Sequence, residues 1–162
     1  MSVDSFKSEY GKFSTPLAKL RLGDVIWHKV NIHPDDVADP ESDTAKAVKK
    51  NKPTKRLLVV LSLDPLRVAY LATFAGSVHL PTTLQTAVWY PVGDAGCHRY
   101  ATSVSVQTEP RQEFVQWVNI RCCYELDKGL HMVDRIGGFH FPLEAVQQIL
   151  EAMNRSITAR RR

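Results

Sequence analysis

Apolar and polar residues alternate with a short period through most of the chain, and with a helical period only near its end. The stretch "GDVIWHKV" (23–30) alternates and is rich in Val, Ile and Trp, which pack well on a pleated surface, so it predicts a strand. "RLLVVLSLD" (56–64) is a continuous apolar run of strand length, the mark of a buried strand. It stops at the turn signal Asp64–Pro65, and "RVAYLATFAG" follows at once, so residues 56–63 and 67–75 predict a hairpin. "TAVWYPV" (86–92) predicts another short strand, ended by a turn at Gly93 and Gly96. "HRYATSVSVQT" (98–108) and "EFVQWVNIRCCYEL" (113–126) follow as extended segments. In the second, a period of two places Val118, Ile120, Cys122 and Tyr124 on one face, with Asn119, Arg121 and Cys123 on the other. "LHMVDRIGGF" (130–139) reads as a brief extended or turn segment.

The period changes in "FPLEAVQQILEAMNRS" (141–156). Leu143, Val146, Leu150 and Met153, with Ile149 beside them, form one apolar stripe of a helix. Pro142 suits its start, and Glu144 in the first turn suits the macrodipole. At the other end, residues 1–15 lack a pattern, and "STPL" predicts a short helical turn with Thr15 as cap and Pro16 in the first position. Many short strands followed by one amphipathic helix predict a mainly β fold with α: a small, curled β-barrel closed by a C-terminal helix. The predicted organisation is a flexible extension at 1–21, a domain at 22–154 with a long charged loop at 31–55, and a basic tail at 155–162.

Composition sharpens this only at a few points. The chain has 162 residues, enough for one core, and its hydrophobic (44%) and charged (23%) fractions are those of an ordinary globular protein. No apolar run reaches the roughly 20 residues that span a bilayer, and the N-terminal stretch lacks the apolar centre of a secretory signal. Three cysteines, two of them adjacent, make no disulfide framework, so the expectation is an intracellular, cytoplasmic chain with reduced thiols. "KKNKPTKR" (49–56) resembles a short basic import signal, which leaves nuclear entry open.

The net charge of +4 points weakly toward an anionic partner, and its distribution says more. Asp35, Asp36, Asp39, Glu41 and Asp43 form an acidic run, and Lys46 to Arg56 reverses the sign directly afterwards. Lys49, Lys50, Lys52 and Lys55 then lead to Arg56, the last charge before the buried strand, which places Arg56 at a strand mouth. The plainer account is a self-neutralising loop.

"GDVIW" at 23–27, "KPTKRLLVVLS" at 52–62 and "RVAYLATFAGS" at 67–77, ahead of a strand, a short segment and a terminal helix, resemble the PemK/MazF family of toxin endoribonucleases. The resemblance spans residues 22–154 in outline. It implies an SH3-like barrel, a homodimer, metal-independent cleavage of single-stranded RNA without any cofactor, and an antitoxin-like protein partner. Carried over residue by residue, it implies Arg56 as acid–base group and oxyanion stabiliser, assisted by Thr73. Lys49, Lys50, Lys52 and Lys55 would gather phosphates, and Trp27 would offer a stacking surface. The chain departs from the family in having Leu57 where proline follows the arginine, and in its long acidic–basic insertion.

Each assignment has a simpler rival. Arg56 serves equally as a sheet-edge cap or a partner of the acidic run, Thr73 as β-branched filler, and Trp27 as core. His28 and His79 suit proton transfer near neutral pH, with an ordinary structural place as the simpler account of each. Cys97 and His98 are adjacent and would point to opposite faces of a strand, and neither the cysteines nor the histidines show metal-ligand spacing, so no metal site is expected. The alternative function is therefore a catalytically inactive SH3-like barrel that binds protein or nucleic acid. A third reading has the acidic run folded over the basic groove as an inhibitor in cis.

Overall fold

The computed structural model describes residues 11–37, 40–72, 88–93, 105–111, 116–127 and 129–161. Its strands are β1 (Lys12–Pro16), β2 (Asp24–Val30), β3 (Thr54–Leu63), β4 (Leu66–Ala72), β5 (Trp89–Val92), β6 (Gln116–Asn119), β7 (Tyr124–Glu125) and β8 (Met132–His140). Among the described residues there are also two α-helices, α1 (Asp43–Lys49) and α2 (Leu143–Arg161), and two 3-10 turns (Leu17–Lys19 and Pro34–Asp36). The fold is mainly β with a C-terminal helix, as the strand-then-helix pattern predicts.

The strands form one antiparallel sheet in the order β1-β8-β2-β3-β4-β6-β5, with β7 paired to β4. Among the described residues the sheet is not closed by a continuous ladder: β1 and β5 are its ends. Residues 105–110 link the β5 side to the end of β8 through isolated bridges. Val106 donates to the Pro91 carbonyl (3.1 Å), and Glu109 and His140 exchange two backbone bonds (2.9 and 3.0 Å).

β3 holds the sheet together because both of its faces are buried. Leu57, Val59 and Leu61 enter an inner core, while Leu58 and Val60 enter a second, outer cluster. The inner core is closed by α2, whose Ala145, Val146, Ile149, Ala152 and Met153 pack onto Val25, Leu71, Val118 and Ile136. Leu143, expected in the apolar stripe, is 61% exposed, since the buried face starts only at Ala145. The helix also runs on through the basic segment to Arg161.

Gly23 ties the start of β2 to the start of α2. Its φ of +89° is a left-handed conformation, and a Cβ there would lie 1.9 Å from the Phe141 carbonyl oxygen. Gly23 N–H donates to the Val60 carbonyl and its own carbonyl accepts from Phe141 N–H, both at 2.8 Å. The glycine of "GDVIW" is thus required by a backbone crossing.

Three segments differ from their predicted form. Residues 12–16, placed in an extension with a helical turn, form β1 against β8, and Pro16 precedes a 3-10 turn. Residues 132–140, read as a brief segment, form a nine-residue strand between β1 and β2. Within it Gly137 makes room for the Phe13 ring, 2.3 Å from where a Cβ would stand, and Gly138 takes φ +71°. The segment 113–126 is split after Asn119, so the predicted alternation slips. Val118 and Ile120 face the inner core and Asn119 and Arg121 lie on the opposite side, but Cys123 packs inward, Cys122 is exposed and Tyr124 joins the outer cluster.

Candidate functional site

The outer face of the sheet carries a cluster of buried polar groups, and the charged segment between β2 and β3 covers it. This segment is not a structureless loop. Ser42 caps α1 by accepting from Ala45 N–H (3.1 Å), and the 3-10 turn brings Asp36 onto the sheet with only 3% of its surface exposed. There the Asp36 carboxylate accepts from Arg121 Nε (2.9 Å) and Nη2 (2.6 Å) and from Asn119 Nδ2 (3.0 Å). A two-pronged guanidinium–carboxylate pair of this kind fixes orientation as well as charge. It also holds the Arg121 guanidinium above its ordinary pKa, first through this hydrogen bond. Asn119 Oδ1 accepts the Arg121 backbone N–H at 3.1 Å, which shapes the break between β6 and β7.

Tyr70 lies beside this pair in the row that runs from Leu58 of β3 across β4. It is 2% exposed and stacks edge-on against Trp89 (centroids 5.6 Å apart) and Tyr124 (5.9 Å). Its hydroxyl has no hydrogen-bond partner among the described residues. Burial, reinforced by Asp36 and Tyr124, raises the pKa of this phenol, so it is a neutral donor.

Arg56 does stand at the mouth of β3, half-buried on the same outer side. Its Nη1 donates to the Lys55 carbonyl (2.7 Å), and its Nη2 donates to the Thr44 hydroxyl of α1. The partner from the acidic–basic insertion is therefore a neutral hydroxyl, while the carboxylate goes to Arg121. Burial lowers the Arg56 pKa, with Tyr70 opposing. Directly across the β2–β3 ladder from Arg56 is His28, whose pKa is lowered by burial and then by the charges of Lys55 and Lys29.

The remaining candidates fall elsewhere. Lys49, Lys50, Lys52 and Lys55 are all exposed. Trp27 is half-buried against the inner core, opposite Leu57 and Asp134, so it shares no face with Arg56. Along that inner side, the period of two sets Lys29 beside Trp27, and Lys29 pairs in register with Lys55. Thr73, His79, Cys97 and His98 lie outside the described residues. Arg121, Asn119, Asp36 and Tyr70 form a buried polar group on the outer face, and the sequence singles out none of them as a site. The alternation in 113–126 put Asn119 and Arg121 on one side, but no local signal joined them to Asp36.

Among the described residues, no group of three or more His, Cys, Asp or Glu side chains is placed to hold a metal ion. No described helix is long and apolar enough to cross a membrane. No protein-family model, no curated protein and no solved structure matches the chain.

Proposed function

We propose that the protein binds single-stranded RNA at the open end of the β2–β3 ladder. The observation that carries this reading is the grouping of half-buried Trp27 with Lys29 and Lys55 on one side of the ladder, with Lys49, Lys50 and Lys52 exposed in the segment that leads into β3. An aromatic platform between cations suits a flexible polyanion, because every base offers a π-face and every linkage a charge. The pKa of His28, lowered first by burial, is lowered further by the charges of Lys55 and Lys29 at this end.

Cleavage of that RNA is the second reading, favoured by the His28–Arg56 register pair and by the resemblance of "GDVIW" and "KPTKRLLVVLS" to toxin endoribonucleases. A histidine kept neutral at pH 7 can accept the 2′-hydroxyl proton, and a fixed guanidinium can stabilise the phosphorane charge. Arg56 is engaged by Thr44 and Lys55, which is why binding ranks ahead of catalysis.

The test is a titration of labelled mixed-sequence RNA in EDTA, with gel analysis of the same samples. Binding weakened by Trp27→Ala and by Lys29→Gln/Lys55→Gln is the expected result. Fragments that vanish with Arg56→Ala or His28→Ala would promote the second reading, and no binding at low salt would reject both.

A further inference from the structure

The Asp36–Arg121 pair has the form of a structural pin, yet the groups around it are more than a pin needs. Arg121 supplies Nε and Nη2, and Asn119 supplies Nδ2, all to one carboxylate. Tyr70 brings a further buried hydroxyl that donates to no group among the described residues, and Arg56 stands on the same outer side two positions before Leu58, the register partner of Tyr70. A carboxylate has two oxygens, whereas a phosphate offers more acceptors in three dimensions. A buried donor left without an acceptor is costly, so its persistence calls for an explanation. The carboxylate that now fills the cluster arrives on a three-residue turn, and the adjoining α1 is tethered to the sheet by the Thr44–Arg56 hydrogen bond.

We propose that Arg121, Asn119 and Tyr70, with Arg56 at the margin, form a phosphate-binding site that the chain's own Asp36 occupies. The turn at 34–36 and α1 act as an internal competitor: a phosphate enters as Asp36 leaves, and release of α1 frees Arg56. The affinity seen from outside is then the intrinsic affinity reduced by the fraction of molecules in which the segment has lifted. This site lies on the face opposite Trp27, so it stands apart from the RNA surface proposed above. The phosphate it takes is either that of a free ion or a linkage of an RNA strand that wraps past the ladder.

The test compares wild type with Asp36→Asn, a near-isosteric change, by thermal shift in inorganic phosphate against chloride at matched ionic strength. Removal of the competitor raises phosphate affinity about tenfold or more, and adding Arg121→Gln abolishes the gain. Equal affinity in wild type and Asp36→Asn, or a gain that survives Arg121→Gln, overturns the site. Hydrogen exchange on unmodified protein gives a second arm in case Asp36→Asn does not fold. Phosphate should speed exchange at the amides of Asp36, Val37, Ala45 and Lys46, and unchanged or slower exchange there overturns the proposal. Repeating both arms with an oligouridylate separates the sources. A response to phosphate alone keeps the site and removes RNA as its ligand, a response of these same readouts to RNA makes an RNA linkage its ligand, and a response to neither overturns the site.

Discussion

The two faces of the sheet solve the same burial problem by different means. On the inner face, α2 lays a continuous apolar stripe over Val25, Val59, Leu71, Val118 and Ile136, and that core is almost wholly apolar. On the outer face, the cover is a charged segment that contributes few apolar anchors, Ile32, Val37 and Val48 among them, and relies on Asp36 for its fixed point. A greasy seal tolerates change in any one contact, because dispersion and solvent exclusion are spread over many atoms. A seal held by one buried ion pair concentrates its stability in few groups, and so it can be opened by a competing charge.

That contrast sets the order of expected effects. Asp36→Ala strands the Arg121 guanidinium beneath its cover and should cost about 3–5 kcal/mol in urea unfolding. Ile149→Ala cuts a cavity into the inner core at a fully buried position and should cost about 2–5 kcal/mol by the same measurement. If the inner loss exceeds the outer one clearly, the outer cover is held by its apolar anchors after all. Thr44→Val, which removes a single tether, should leave global stability within about 1 kcal/mol while raising hydrogen exchange across α1 only; an equal rise along α2 would contradict the division into two covers.

Smaller effects probe the electrostatics. Lys29→Gln with Lys55→Gln should reduce the slope of log affinity for single-stranded RNA against log salt by about 1.4, two phosphate contacts at roughly 0.7 each. An unchanged slope would place the RNA elsewhere. The smallest expected effect comes from His28. Its folded pKa lies below the unfolded value of 6.5, so the unfolded chain takes up its proton first. Stability from this residue is therefore full above that value and declines as pH falls below it. His28→Gln should flatten the acid-side decline in a pH series of melting temperatures.

What the sequence disclosed about these faces was uneven, for physical reasons. β2, the β3–β4 hairpin and α2 carry their pattern locally, in a period of two, an apolar run or a period of 3.6, and could be read from a few residues. β8 could not. Gly137 and Gly138 look like a turn until the Phe13 ring and the two flanking strands are in place. The start of the helical stripe was placed one turn early because Leu143 is apolar without being covered. Arg56 is the third residue of β3, whereas the ion pair with Asp36 is made by Arg121, 85 positions away in sequence. Such a partnership depends on where β6 breaks and where the 3-10 turn lands, and neither is encoded by local spacing. Trp27 and Arg56, near neighbours in register, were grouped as one site, and the pleat separates them.

The position of β8 between β1 and β2 has a consequence for how the molecule assembles. Each pairing joins residues near 12–30 to residues 132–140, contacts separated by more than half of the chain. Such long-range closures come late and slowly, because the loop entropy must be overcome before any contact rewards it. During synthesis, β2 and β3 emerge early with an unpaired edge along β2, which stays open until the last quarter of the chain appears. The newborn protein thus depends on β8 to shield the edge of β2.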